Sequence, residues 1–246
     1  GLNNTFLGYQ SGAALTGSSN TFLGYQAGLN SSSGSNNVVI GTEANGVGVM
    51  TGASNVVIGT DTGKDMTSGH SSVLIGQNAG RLLTSGNSVV FVGQAAGDGH
   101  DTEANNVGIG RAALGGSIAG GEFNVAVGNY ALDALTSSDY NVAIGYNAGT
   151  NLQGGSGQNV LVGYPAGESL TDGQYNTMVG SQINSVTTGD NNTLIGRQAG
   201  TSASPSGSIG TGSNNICLGD NNISALFCAD TSISSSDNCK LASAFT

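Results

Sequence analysis

Two histidines are the first residues to consider for chemistry, because imidazole is the side chain whose charge changes near neutral pH. His70 and His100 lie in turn-like segments beside Gly69 and Gly99. No acid, base or nucleophile recurs along the chain with a partner, which an active site would require. The sequence therefore predicts that both histidines lie in solvent-exposed loops, that there are no catalytic residues, and that the protein is not an enzyme.

Carboxylates are the next candidates, as ligands for calcium. A calcium-binding roll needs an aspartate at a fixed place in every glycine-rich turn. The aspartates in turns stand at inconsistent offsets: Asp61, Asp98, Asp133, Asp172 and Asp190. A roll built on calcium is therefore not expected.

Thiols and glycine pairs complete the search for cofactor sites. Cys217, Cys228 and Cys239 are evenly spaced, but at a distance that matches no zinc pattern, so buried or free thiols are expected. No readable helix follows Gly46-Val47-Gly48 or Gly108-Ile109-Gly110, so the nucleotide-binding motif lacks its context. The sequence predicts no metal and no cofactor.

Four tyrosines share one position, directly after a glycine: Tyr9, Tyr25, Tyr146 and Tyr164. One interpretation is an exposed aromatic stripe suited to sugars. The preferred alternative is that these rings cover a corner of the structure and support its packing.

Composition excludes several classes of protein. Charged residues make up 8% of the chain, against roughly 25% in ordinary domains. The hydrophobic content of 37% argues against disorder, and glycine does not recur at every third residue as in collagen. A net charge of −10 with five basic residues argues against nucleic acid as a partner. No apolar run approaches the length of about 20 residues that membrane insertion requires.

These residues belong to a short repeat, which is the dominant signal in the chain. Its consensus is Asn, Val or Thr, any residue, aliphatic, Gly, two variable residues, Ala and Gly, and successive copies follow at nearly constant intervals. The thirteen glycines that follow the aliphatic residue, here called corner glycines, are Gly8, Gly24, Gly41, Gly59, Gly76, Gly93, Gly110, Gly128, Gly145, Gly163, Gly180, Gly196 and Gly219. Asparagine stands four residues earlier in eleven copies: Asn4, Asn20, Asn37, Asn55, Asn106, Asn124, Asn141, Asn159, Asn176, Asn192 and Asn215. The exceptions are Ser72 and Val89, the latter with an apparent local insertion.

The repeat predicts an all-β fold, a parallel β-solenoid or β-roll of about 17 residues per coil. A short β-prone run that ends at glycine indicates a strand and a tight turn. Stacked coils place each strand about 4.8 Å from its equivalent, and they place Asn over Asn in a ladder of amides. A leucine or methionine series is expected to fill the core from the opposite wall: Leu15, Met66, Leu83, Leu135, Leu152 and Leu170.

The strands carry apolar residues on both faces. The aliphatic residue before each corner glycine follows a second apolar position, represented by Phe22 and Leu74. Neighbouring residues of a strand point to opposite faces, and a thin coil has one interior. We therefore expect the face of Phe22 and Leu74 to be buried against another chain in a parallel homo-oligomer, preferably a trimer.

Three regions follow from the repeat. Residues 1–200 are expected to form the repeat rod, 201–234 an atypical last coil and an exit or cap segment, and 235–246 a tail without readable structure. The longer step between Gly196 and Gly219 is attributed to a Ser/Gly-rich insertion that contains Pro205.

The copies Asn20-Thr21-Phe22-Leu23-Gly24-Tyr25-Gln26-Ala27-Gly28 and 141–149 resemble repeats of phage tail-fibre proteins, and they are similar to head repeats of trimeric autotransporter adhesins. The segment 218–233 resembles the junction before the intramolecular chaperone of many tail fibres. This resemblance implies a trimeric, left-handed β-roll fibre used for attachment to a host or surface. The self-cleavage motif of that family is incomplete in Ser236-Asp237-Asn238-Cys239-Lys240, which lacks its Arg, so Ser236 and Lys240 receive no role.

Four functions remain at this point. The first is the shaft or receptor-binding segment of a trimeric viral tail fibre, which binds a cell-surface glycan or protein receptor. The others are the head of a bacterial surface adhesin, a self-assembling extracellular filament, and a left-handed β-helix acyltransferase. The last is disfavoured, because its hexapeptide, as in 144–149, matches once per coil and that class requires three matches.

Overall fold

The structure is a computed structural model that describes residues 1–117 and 120–222. Thirteen strands of three residues form one parallel sheet in chain order. They are β1 Thr5–Leu7, β2 Thr21–Leu23, β3 Val38–Ile40, β4 Val56–Ile58, β5 Val73–Ile75, β6 Val90–Val92, β7 Val107–Ile109, β8 Val125–Val127, β9 Val142–Ile144, β10 Val160–Val162, β11 Thr177–Val179, β12 Thr193–Ile195 and β13 Ile216–Leu218. The described residues contain no helix. The predicted parallel β-solenoid of about 17 residues per turn is confirmed; its handedness stays a prediction.

Each coil forms backbone hydrogen bonds with the coils on both sides of it. The Val38 N–H donates to the Asn55 carbonyl at 2.8 Å, and the Gly41 N–H donates to the Leu23 carbonyl at 2.8 Å. The same two bonds recur in successive coils because all strand pairs are in register. The copy at Val89 is also in register, with Val90 opposite Val73 and Val107, so the predicted insertion there is wrong.

The central residue of each strand points into the coil. Phe22, Val39, Leu74 and Phe91 are fully buried within the single chain. The expected placement of Phe22 and Leu74 on an intermolecular face is therefore wrong. The flanking strand residues face outward instead and are half-buried or exposed in every strand. The sequence prediction of two apolar faces was right, but it assigned the interior to the wrong one.

A series of large residues closes the core from the other wall. Met66, Leu83, Leu135, Leu152 and Leu170 are fully buried, and Leu15 packs partly buried against them. Alanines three residues after the corner glycine, such as Ala27 and Ala148, are buried between the two walls. The core is thus a narrow column that continues from coil to coil.

Large and small residues alternate at two core positions six residues apart. Beside Phe91, Gly97 leaves no room for a side chain, since a Cβ there would lie 2.4 Å from the Phe91 ring. The relation is reversed in β7 and β8, where Gly108 and Ala126 leave space and the buried Leu114 and Leu132 fill it, six residues later. In these coils the interior is therefore filled from one of the two positions.

The insertion before β13 leaves the stack intact. Thr193 pairs with Ile216 and Ile195 with Leu218, although this step of the repeat is the longest. The Ile209 N–H donates to the Gly200 carbonyl at 3.0 Å, and Ile209 packs against the core. The extra residues therefore form a loop at the side of the coil. The expected cap beyond residue 222 and the tail 235–246 lie outside the described residues.

Candidate functional site

The asparagine row forms a buried ladder along the solenoid. Each Oδ1 accepts the backbone N–H at the equivalent position of the following coil, as from Asn37 to Asn20 at 2.9 Å and from Asn176 to Asn159 at 3.0 Å. Each Nδ2 typically donates to a backbone carbonyl of the following coil, as from Asn37 to Gly52 at 2.9 Å. Direct amide pairs join some rungs, such as Asn159 to Asn141 at 2.9 Å. The ladder thus pairs backbone groups at the corner just before each strand, which the strand hydrogen bonds do not reach.

The two exceptions in this row behave differently. The Ser72 Oγ accepts the Val89 N–H at 3.3 Å and so preserves a rung. Val89 is fully buried and has no acceptor to offer to Asn106. The ladder is therefore interrupted once, between β6 and β7.

A second row of polar side chains, two residues before the asparagine row, was not predicted. Its members accept a backbone N–H from the preceding coil, whereas the asparagines accept one from the following coil. The hydrogen bonds of the two rows therefore point in opposite directions along the rod. Examples are Leu2 to Ser18 at 3.0 Å, Glu122 to Asp139 at 2.8 Å and Gln174 to Asp190 at 2.9 Å. The signal in the sequence was the recurrence of Ser, Asn, Asp and Glu at this offset.

The corner glycines allow the closest approach between coils. From Gly8 to Gly180 their φ angles lie between +130° and +146°, a region that L side chains rarely adopt. A Cβ on Gly145 would lie 2.5 Å from the Gly163 carbonyl oxygen, and the same clash recurs at Gly24 and Gly41. Glycine is therefore required both for its backbone conformation and for the contact with the next coil.

The outward residues of the strands form a continuous surface along the rod, here called the outer face. It consists of the first and third residue of each strand. The third position is aliphatic in all thirteen coils: Leu7, Leu23, Ile40, Ile58, Ile75, Val92, Ile109, Val127, Ile144, Val162, Val179, Ile195 and Leu218. The first position is Val in the middle strands and Thr or Ile in those near the ends. None of these residues is buried.

Aromatic rings line both sides of the outer face. Tyr9 and Tyr25 stack with centroids 5.6 Å apart, and Tyr146 lies 5.6 Å from Tyr164. These four rings remain 47–64% exposed, so they lie on the surface and contact one another along the rod.

The sequence reasoning missed a second aromatic row on the other side of the strands. Phe123 and Tyr140 stack at 5.0 Å in consecutive coils, and Tyr175 occupies the equivalent position two coils later. All three are exposed. Each precedes an asparagine of the ladder, and that shared offset was the available signal.

The two histidines lie in different environments. His70 is exposed, but His100 is fully buried, so the prediction of an exposed loop is wrong for His100. His100 stands seven residues after its corner glycine, as Leu83 does in the preceding coil, and it occupies that core position. Burial lowers the pKa of the His100 imidazole to about 3.

Charged side chains pair across coils at the surface. Lys64 binds Asp61 at 2.7 Å and Glu43 at 3.0 Å, and hydrogen bonds to these carboxylates raise the pKa of Lys64. Arg81 binds Asp98, and Arg197 binds Asp220. Cys217 is a buried free thiol, while Cys228 and Cys239 lie outside the described residues.

Within residues 1–117 and 120–222, no three His, Cys, Asp or Glu side chains come together as metal ligands would. Nor does this part of the chain contain a helix long and apolar enough to cross a membrane. Comparisons with protein-family models, curated proteins and solved structures found no match.

Proposed function

We propose that the chain is a structural and adhesive fibre protein without enzymatic activity, the shaft or receptor-binding segment of a trimeric viral tail fibre that mediates attachment to a host. The observation that carries this proposal is the outer face, whose third strand position is aliphatic in every coil. A solenoid that met water on all sides would place polar residues there, because a strand with one solvated face alternates in polarity.

The size of the outer face supports association between chains. Thirteen strands at about 4.8 Å extend over roughly 60 Å, and two rows of outward side chains span about 7 Å along each strand. That gives a continuous apolar strip on the order of 400 Å², similar in size to the largest patch on a typical monomer, which is often functional. Packing the strips of three parallel chains together removes each of them from water and leaves the aromatic rows at the margins, where a receptor can reach them.

Charge substitutions on the outer face test the trimer. Ile58→Asp and Ile75→Asp place carboxylates on this face, and we expect them to convert a trimer into monomers in analytical ultracentrifugation. Leu82→Asp is the matched control, because Leu82 is 37% exposed but lies outside the strands. A wild-type chain that sediments as a folded monomer contradicts the trimer, as does an unchanged oligomer in both outer-face variants.

Two alternative functions are close to this one: the head of a bacterial surface adhesin and a free extracellular filament. Electron microscopy of the native particle, with the chain labelled by an antibody, distinguishes a virion fibre from a cell-surface fibre or a filament. Binding of the fluorescent rod to host cells, lost on Tyr146→Ser and Tyr164→Ser but not on Leu82→Ser, would support a receptor at the aromatic row. The receptor is a cell-surface glycan or protein.

A further inference from the structure

The contact between β6 and β7 differs from every other contact in the described stack. Val89 interrupts the asparagine ladder, and His100 occupies the core position that Leu83 fills one coil earlier. Gly108, at the centre of β7, contributes no side chain to the core. We call residues 89–117 the β6–β7 seam. It combines a missing ladder bond with a polar ring in the core.

The hydrogen bonds of Asn106 determine which nitrogen of His100 carries the proton. The Asn106 Oδ1 accepts the Asn124 N–H at 2.8 Å, and its Nδ2 donates to the Gly121 carbonyl at 2.8 Å. The amide orientation is therefore fixed, and Nδ2 also faces His100 Nε2 at 3.3 Å. Nε2 must act as an acceptor, so the proton is on Nδ1, which is buried and makes no hydrogen bond of standard geometry in the described structure.

The surroundings of the ring favour its neutral form. The edge of the ring packs against Phe91, with centroids 4.6 Å apart. Burial lowers the pKa of His100, and the nearby Leu114 backbone opposes this only in part. Charged groups near the ring have other partners. Asp98 binds Arg81, Asp101 accepts from the Thr84 hydroxyl, and the Arg111 guanidinium lies over the Tyr130 ring. The Glu103 carboxylate accepts the backbone N–H groups of Asp101, Thr102 and Gly120.

We propose that the β6–β7 seam is an acid-opened joint in the rod. A proton on Nε2 turns the His100–Asn106 contact into two donors facing each other. Rotation of the Asn106 amide would restore that contact but would break the bonds to Gly121 and Asn124. Proton uptake therefore disrupts the first ladder rung after the interruption, and the imidazolium is accommodated only when the seam opens to water.

The direction of the pH effect follows from proton binding. The closed seam binds its proton only near pH 3, whereas an exposed histidine binds it near pH 6.5. Between these values the open state holds more protons, so the closed state is fully stable above about pH 6.5 and loses stability as pH falls. The opening equilibrium rises by up to about tenfold per pH unit in this window.

Hydrogen exchange of the full chain between pH 7 and 4.5, corrected for intrinsic exchange rates, tests the joint. We expect protection of the seam to fall by up to about tenfold per pH unit below pH 6.5, and protection of β9–β10 in the same molecule to change much less. Equal pH dependence in the two regions overturns the proposal.

Two variants and one direct titration complete the test. His100→Leu should abolish the pH dependence of the seam, and His70→Leu, at an exposed position, should leave it unchanged. If His100→Leu does not fold, NMR titration of the wild-type imidazole decides the question. A His100 signal that titrates near pH 6.5 in the closed rod overturns the proposal, and one that stays neutral down to the opening transition supports it.

Discussion

At the scale of single residues, the asparagine ladder shows why one amide recurs in eleven coils. The buried corner just before each three-residue strand has backbone N–H and carbonyl groups that the strand hydrogen bonds do not pair. The side chain of Asn159 bonds both kinds, since its Oδ1 accepts the Asn176 N–H and its Nδ2 donates to the Gly173 carbonyl. Aspartate has no donor and leucine has neither group, so neither can replace it without loss.

The first prediction concerns this ladder. Asn159→Ala leaves two buried backbone groups of the following coil unpaired, and we expect it to lower the free energy of unfolding by about 2–4 kcal/mol. Asn151→Ala is the control, because Asn151 makes one exposed hydrogen bond to Glu168 and should cost less than about 1 kcal/mol. Urea denaturation measures both changes. Equal losses in the two variants would show that burial of the amide is irrelevant.

The second prediction compares a corner glycine with a glycine in an open loop. Gly145 has φ +134° and no room for a Cβ, while Gly210 has φ +56° with no atom within 4 Å of a Cβ. Gly210→Ala should therefore cost only about 1–2 kcal/mol of backbone strain. Gly145→Ala must also push Gly163 away, and we expect a loss above about 3 kcal/mol. Equal melting temperatures of the two variants in thermal unfolding would contradict this prediction.

At the scale of the coil, a large side chain fills the core from one of two positions that are six residues apart in the sequence. At most coils a large strand residue faces a glycine, as Leu161 faces Gly167, where an added Cβ would lie 2.8 Å from Leu161. In the eighth coil Ala126 is small and Leu132 is large, at the same two positions. The two arrangements fill one space, which allows residue types from Gly to Phe at the centre of the strand.

A double-mutant cycle tests this exchange. Leu132→Gly should cost about 2–4 kcal/mol by leaving a cavity, and Ala126→Leu alone about 1–3 kcal/mol by overpacking. The double variant reproduces the Leu161–Gly167 arrangement, so we expect it to be more stable than the sum of the single changes by at least about 1 kcal/mol. Additive losses, measured by urea denaturation, would mean that the two positions do not share a space.

The coil also shows which parts of the structure the sequence could predict. Regular spacing with a glycine and an asparagine at fixed offsets is sufficient for the strands, their parallel register and the direction of stacking. The spacing does not predict which strand residues face the interior, because Val39 and Ile40 are equally apolar and neither face of the strand is polar. The variation in size was the overlooked signal. The interior position ranges from Gly108 to Phe91, and in several coils its size is inverse to that of the residue six places later, while the outer position stays Ile, Val or Leu.

The candidate surface was predicted only in part for the same reason. Tyr146 and Tyr164 were placed on one row by their shared offset, whereas Tyr140 and Phe123 were missed because their offset lies before the asparagine. The position of His100 directly after Gly99 indicates a loop, although its distance from Gly93 puts it in the leucine series. In a repeat, the offset from the corner predicts burial better than the adjacent residues do.

At the scale of the whole molecule, the length of the rod distinguishes two modes of assembly. Thirteen strands give the described part of one chain a length of about 60 Å. Side-by-side packing of outer faces adds chains without adding length. Small-angle scattering should therefore report three chain masses in a particle that keeps the length of a single rod. A length that grows with protein concentration would instead indicate end-to-end filaments.

In-register stacking also has a consequence for how such a chain changes in evolution. Because the hydrogen bonds between coils repeat in the same pattern along the stack, a coil can be duplicated or deleted as a genetic unit. Removing residues 142–159 would join Asn141 to Val160 and bring β8 and β10 together, with the same two strand bonds and the same rung as before. The length of the rod therefore changes in steps of one coil, about 4.8 Å each. A lineage can adjust the length of its rod without inventing any new contact.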